Sequence, residues 1–311
     1  MLTKSLIGNR NFIPIAIFIL WVIGFFVIHV GDFNSDLHWI SFGLVVFMVA
    51  VNAIVANTFP YFKQNFYFIF LFVVGFLLLT CCLENISFFG GLFFLYLILS
   101  QILFKNQHET YFFNAFDLGF YLGLAVIFYP PFWIFGVFLI LHFIVLGKTQ
   151  YRNLIFAILG LISIFFLAFE LMVIFDAWYN WDLFKEQLPL SPIDFKLEFL
   201  FLIPPFLLGL LGLIDYYSHF NRQSTNKKVV FFDALLWLIF AIIYLILYND
   251  NQSQGFLLVL LPIALFIANY MTYSKKIWKK EIIIWIYIIS LVLYKFHNQL
   301  QVPELFETVT F

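Results

Sequence analysis

The sequence predicts an all-α polytopic membrane protein with about eleven transmembrane helices, organised as a single transmembrane domain over residues 1–311. Three observations lead to this prediction: the composition, the spacing of the apolar runs and the distribution of basic residues. Of the 311 residues, 64% are hydrophobic and only 11% are charged. A soluble domain carries about 25% charged residues to cover its surface, so lipid must surround most of this chain. The same composition excludes a disordered chain, a coiled coil, a disulfide scaffold and a nucleic-acid-binding protein.

Eleven apolar runs have the length that crosses ~30 Å of hydrocarbon at ~1.5 Å per residue. We expect transmembrane helices at 11–30, 39–58, 66–83, 88–104, 114–129, 131–147, 154–176, 197–217, 231–248, 256–273 and 281–297. The longest external loop is then 177–196, which leaves no room for a separate soluble domain.

The basic residues predict the orientation, because Lys and Arg collect in cytoplasmic loops. With the N-terminus cytoplasmic, only Lys185, Lys196 and Lys295 fall on the external side. The cytoplasmic loops hold the other thirteen: Lys4, Arg10, Lys63, Lys105, Lys148, Arg152, Arg222, Lys227, Lys228, Lys275, Lys276, Lys279 and Lys280. With eleven spans, the C-terminus is therefore expected on the external side.

A short irregular helical hairpin is predicted at 114–147. Its first helix has about 16 residues and runs directly into Pro130 and Pro131, after which a second short apolar helix returns. Irregular backbone at membrane depth survives only inside protein or beside a watery cavity, so we expect this hairpin near the centre of the bundle. The pattern Gly119-x-x-x-Gly123 in its first helix favours the close approach of another helix.

Glu170 is the most conspicuous ionisable residue inside a predicted span. It lies about 9 Å from Asp176 along its helix and shares a face with Ser163. Ionisable groups at this depth suggest function, here proton coupling or catalysis, whereas a protonated carboxyl bonded to a neighbouring helix is the structural alternative. A transporter that used Glu170 would need this side chain to face the interior of the bundle.

Three further polar residues in predicted spans have structural explanations. Asp117 and Asp233 each follow a Phe near the predicted start of a helix, where a carboxylate favours the positive end of the helix dipole. His142 has no second His or carboxylate one turn away, so we interpret it as a structural imidazole rather than a metal ligand. No spacing of metal ligands or cofactor motif occurs, and the sequence predicts neither a metal site nor a cofactor.

Two predicted external loops carry the residues suited to chemistry at that surface. The first contains Asp32 and Asp36, which could act as a catalytic base, with Glu170 as a third candidate. The second, longer loop contains the candidate substrate-binding residues Trp178, Tyr179, Trp181 and Asp182. Aromatic and acidic side chains in this order suit carbohydrate binding, although an interfacial aromatic belt would have the same composition.

Two resemblances are carried by the stretch from Phe116-Asp117-Leu118-Gly119 through Tyr129-Pro130-Pro131 to Tyr151-Arg152-Asn153-Leu154 and Leu159-Gly160. This stretch resembles an uncharacterised family of multipass inner-membrane proteins of the Bacteroidota, a domain of unknown function. The resemblance covers most of the chain and is strongest at 110–175. It implies the bacterial inner (cytoplasmic) membrane, and with it a periplasmic C-terminus, but no reaction.

The same stretch is more loosely similar to the core of the GT-C membrane glycosyltransferases. That resemblance implies a polyprenyl-phosphate-sugar-dependent glycosyltransferase with an acidic residue in the first external loop as base or metal ligand. By position this residue would be Asp32 or Asp36. The sequence departs from the GT-C pattern because its first external loop has about eight residues, whereas the family usually has a long one.

Three functions remain open. The first is a GT-C-like transferase acting on polyprenyl-linked sugars at the outer face, and the second is a non-catalytic subunit of an envelope complex for protein export, surface assembly or motility. The third is a proton-coupled transporter that uses Glu170, but the chain lacks a clear inverted repeat. The expected partners are membrane lipids, with a lipid-linked sugar or other envelope membrane proteins depending on the function, and no nucleic acid.

Overall fold

The computed structural model describes residues 36–58, 66–80, 85–104, 111–146, 150–176, 184–186, 188–190, 197–248 and 252–296, and these residues form an all-helical protein. The long α-helices are α1 (Asp36–Thr58), α2 (Tyr67–Leu79), α3 (Ile86–Phe104), α4 (Tyr111–Phe128), α5 (Ile134–Leu146), α6 (Gln150–Ile174), α7 (Ile203–Ser218), α8 (Thr225–Leu247), α9 (Gln252–Tyr273) and α10 (Ile277–Phe296). Short 3₁₀ segments at Pro130–Trp133, Leu197–Leu202 and Phe220–Arg222 connect some of them.

Each predicted span from 39–58 onwards coincides with one of these helices, and the predicted span 11–30 lies outside the described residues. Among the described residues, five helices are long and apolar enough to cross a membrane. Their apolar stretches are Ile86–Leu103, Tyr151–Ile174, Phe199–Ser218, Lys227–Leu247 and Gln254–Tyr273. The protein is therefore a helical membrane protein by length and composition, whereas eleven crossings and the side of each terminus remain predictions.

Helix α9 lies at the centre of the described bundle, where we had expected the 114–147 hairpin. Within its stretch Gln254–Tyr273, 83% of the residues are buried, because α2, α7 and α8 pack around it. Pro262 lies inside this helix, so one backbone hydrogen bond is missing at the centre of the protein. The hairpin helix α4 instead packs between α3 and α6, on one side of α9.

The helix α6 joins this bundle through glycines that the sequence pattern had singled out. A side-chain carbon built at Gly119 would overlap the backbone of Ala157 on α6, and one at Gly123 would overlap Ile164. The same holds in the other direction: a side-chain carbon built at Gly160 on α6 would overlap the carbonyl oxygen of Phe116 on α4. The expected close approach to the Gly119-x-x-x-Gly123 face is thus confirmed, and α6 is the helix that makes it.

Candidate functional site

Most of the residues predicted for an external catalytic site lie where the structure gives no placement. Asp32, Trp178, Tyr179, Trp181 and Asp182 are outside the described residues. Asp36 is the first residue of α1, with its backbone but not its side chain described. The arrangement required for catalysis, with the loop 31–38 near 176–182, therefore remains a prediction.

Glu170 is on the outer surface of the described bundle. It is exposed near the end of α6, and Ser163, two turns earlier on the same face, is exposed as well. The Ser163 hydroxyl donates a 2.7 Å hydrogen bond to the carbonyl oxygen of Leu159 within its own helix. Since Glu170 does not face the bundle interior, the transporter hypothesis has no support from this residue.

The partly buried His142 and the buried Asp233 form a polar pair between two helices in the predicted cytoplasmic half. The Nδ1 atom of His142 on α5 lies 2.9 Å from Oδ1 of Asp233 on α8. The Asp233 side chain has no exposed surface, and that of His142 is 12% exposed. The other carboxyl oxygen of Asp233 is buried and has no hydrogen-bond partner among the residues that the structure describes. One proton between the two groups satisfies this contact, whether the nitrogen or the carboxyl carries it.

The pair corrects the interpretation of Asp233 as a helix-capping residue. Helix α8 begins at Thr225, so Asp233 is two turns inside the helix and its backbone is already hydrogen-bonded. Asp117 is likewise the seventh residue of α4, which begins at Tyr111, and it does not cap that helix. The interpretation of His142 as a satisfied structural imidazole agrees with its contact to Asp233, although its partner was not foreseen.

An apolar cavity of about 300 Å³ lies in the half of the bundle that the charge pattern assigns to the external side. Its walls come from the end of α2, the start of α7, the last turns of α8, the start of α9 and the middle of α10. Among its lining residues, Ile203 and Ile246 are exposed on the bundle surface, and Tyr287 lies at the inner end. Such a cavity has the size and polarity to hold part of a hydrocarbon chain.

The turn of the 114–147 hairpin contacts the described part of the long loop 177–196, which is predicted to be external. Trp133 Nε1 donates a 2.9 Å hydrogen bond to the hydroxyl of Tyr248, and that hydroxyl donates to the carbonyl oxygen of Leu188 at 3.3 Å. The hydroxyls of Tyr129 and Tyr244 lie 3.4 Å apart beside them. Trp133 of the 3₁₀ turn and Tyr248, the residue after α8, therefore hold residue 188 against the hairpin.

Within the described ranges, no three His, Cys, Asp or Glu side chains gather as they would around a metal ion. Two of the described polar features could take part in chemistry. His142 and Asp233 can share a proton, and Glu170 has an exposed carboxyl group. Neither place brings a carboxyl group beside the apolar cavity.

A sequence model of a family of unknown function, DUF6427, matches residues 1–303, and the chain therefore belongs to this family. Comparison with curated proteins gave no match. Comparison with solved structures gave none either.

Proposed function

We propose that this member of the DUF6427 family is a non-catalytic, membrane-embedded subunit of a complex in the bacterial cell envelope. The observation that carries the proposal is the position of Glu170, a carboxyl group exposed on the surface of the described bundle within the predicted span 154–176. Ionisable residues within membrane spans almost always face protein or a watery cavity, because lipid solvates a charged side chain poorly. A helix of a partner subunit would remove Glu170 from lipid.

The packing of α6 agrees with an additional contact on this helix. In its stretch Tyr151–Ile174 only 17% of the residues are buried, compared with 83% for Gln254–Tyr273 of α9. The exposed stripe beside Glu170 includes Phe166, one turn towards the N-terminus of the helix, and Ser163, two turns towards it. A hydroxyl and a carboxyl on one stripe could both bond to a partner helix, the interaction that commonly holds helices together in lipid.

A photo-reactive residue at Phe166 tests this proposal. Phe166 is 63% exposed and lies one turn from Glu170. Ile239 on α8 is 46% exposed and far from Glu170 in sequence, so a probe at position 239 serves as the control. In native membranes, the probe at position 166 should crosslink to a membrane protein, and the probe at position 239 should crosslink to lipid only. Lipid adducts alone at both positions would refute the proposal.

A pair of variants at Glu170 shows whether the carboxyl holds the partner. Glu170→Gln keeps two hydrogen-bonding groups of similar shape, so the crosslink at position 166 should persist. Glu170→Leu leaves the partner group unsatisfied, at a cost of about 1–3 kcal/mol, and the crosslink should weaken by roughly ten-fold or more. If Glu170→Leu crosslinks as well as the unmodified protein, the carboxyl does not hold the partner.

A GT-C-like transferase acting on polyprenyl-linked sugars is the second candidate. Two observations favour it: the apolar cavity in the predicted external half, which could receive a prenyl chain, and the hydrogen bond that holds Leu188 of the long loop at the hairpin turn. In this proposal Asp32 or Asp36 is the base, Glu170 is a third catalytic candidate, and Trp178, Tyr179, Trp181 and Asp182 contact the sugar. Among the described residues that line the cavity none carries a carboxyl group, whereas the subunit proposal rests on a described residue, Glu170.

The transferase candidate is tested by replacing both loop carboxylates. The double variant with Asp32→Asn and Asp36→Asn should lose activity in cells at an unchanged protein level, because neither amide can accept a proton from the acceptor hydroxyl. A double variant that retains full function would eliminate this candidate and leave the subunit proposal untouched.

A further inference from the structure

A polar pocket opens on the predicted cytoplasmic side, at the place where α7 and α9 end and α10 begins. We call it the basic pocket, and its volume is about 630 Å³. Its charged lining consists of Arg222, Lys275, Lys276 and Lys279 with Asp215, and His219 lies beside that carboxylate. The His219 ring nitrogen Nδ1 is 3.8 Å from Oδ1 of Asp215. Four cations thus face one carboxylate, and the pocket has an excess of positive charge.

The wall of the basic pocket is held by a buried lysine. Lys227 near the start of α8 is 2% exposed, and its Nζ donates a 3.0 Å hydrogen bond to the hydroxyl of Tyr273. The same Nζ lies 4.4 Å from the centre of the Tyr273 ring and 6.0 Å from that of Tyr216. Both tyrosines line the pocket, so Lys227 connects two residues of its wall, and the cations of the rim are exposed and free to turn towards an anion.

An apolar groove of about 290 Å³ continues from the basic pocket along the surface of the bundle. Leu208 and Leu211 of α7 form one side, and Ile282 and Ile286 of α10 form the other. Tyr270 and Lys279 line both the groove and the basic pocket, so the two are contiguous. Leu211, Ile282 and Ile286 are exposed, so the groove opens towards lipid rather than into the interior of the protein.

We propose that the basic pocket and the apolar groove together bind an anionic phospholipid of the cytoplasmic leaflet. The phosphate-bearing headgroup would lie among Arg222, Lys275, Lys276 and Lys279, and one acyl chain would follow the groove between α7 and α10. Basic pockets between membrane helices on this side attract anionic headgroups, with a few-fold gain in affinity for each added Lys or Arg. The basic pocket and the apolar groove are adjacent, as the charged headgroup and the acyl chain are in a phospholipid.

The proposal is tested with the purified full-length protein after its lipids have been removed. The protein is titrated with phosphatidylglycerol, phosphatidylcholine or inorganic phosphate, and the bound molecules are counted by native mass spectrometry. We expect saturable binding of phosphatidylglycerol, at least about five-fold tighter than that of phosphatidylcholine. Equal binding of the two lipids would overturn the proposal. Binding of inorganic phosphate with the same affinity as the lipid would also overturn it, because the site would then belong to a free phosphate compound.

Two variants and one control test whether the lipid binds in the basic pocket and the apolar groove. Lys275→Gln with Lys276→Gln should weaken phosphatidylglycerol binding by at least about five-fold. Arg152→Gln with Lys228→Gln removes two charges of the same predicted face that are not among the lining residues of the pocket, and it should leave the binding unchanged. Leu211→Trp should fill the groove and weaken lipid binding without altering the pocket. Equal weakening by the control, or normal lipid binding by Leu211→Trp, would contradict the proposed site.

Discussion

Replacing Gly119 by alanine tests the contact between α4 and α6 that determines how the hairpin joins the bundle. An added carbon at Gly119 would lie 2.8 Å from the Cα of Ala157 and would overlap its carbonyl oxygen. Both are backbone atoms, so no side chain can rotate away and the two helices must separate. Overpacking of this kind costs about 1–3 kcal/mol, and it exceeds the gain of about 0.5–1 kcal/mol that alanine brings to a helix interior.

Gly43 on α1 provides the matched control, because an added carbon there meets no atom within 4 Å. Gly43→Ala should therefore leave the free energy of unfolding unchanged or raise it by about 0.5–1 kcal/mol. Gly119→Ala should lower it by about 1–2 kcal/mol in the same assay, a titration of the purified protein from mild detergent into denaturing detergent. If Gly119→Ala is as stable as Gly43→Ala, the backbones of α4 and α6 are not in contact.

Two further predictions concern polar contacts between helices. His142→Ala should lower the free energy of unfolding by about 1–3 kcal/mol, because it leaves the buried Asp233 without its 2.9 Å partner. In the same denaturation assay, the double variant with Asp233→Ala should lose less stability than the sum of the losses of the two single variants. An additive double variant would show that the pair is not coupled. Tyr248→Phe removes the hydroxyl that bonds to Leu188 and Trp133, so limited proteolysis should cut the long external loop faster while the helices remain stable. An unchanged cleavage rate would mean that this hydroxyl does not hold the loop.

The helices could be predicted from the apolar runs, but their starts could not. Helix α8 begins at Thr225, six residues before the predicted span, because its first turns contain Lys227 and Lys228. A span predicted from apolar residues begins only after these lysines. In the structure, however, the aliphatic part of Lys227 packs inside the protein, and its charged Nζ lies beside Tyr273. This error in the helix start made Asp233 look like a capping residue.

The candidate site was less predictable because it depends on contacts between distant parts of the chain. His142 and Asp233 are 91 residues apart, and no local pattern connects them. The glycine pattern at Gly119 indicated a close approach, but the partner was determined only by the complementary Gly160 on α6. The depth of Glu170 in its helix could be predicted from the spacing of residues, whereas the direction of its side chain depends on which face of α6 packs against α4.

The topology itself is tested most directly by reporter fusions after Gln223 and after Phe311, because the lipid site and both proposed functions depend on which face is cytoplasmic. The thirteen-to-three distribution of Lys and Arg predicts that Gln223 is cytoplasmic and that the C-terminus is periplasmic. A cytoplasmic reporter, active only inside, should therefore work at Gln223 and fail at Phe311, and a periplasmic reporter should give the opposite result. Activity of the same reporter at both positions would contradict an eleven-helix topology.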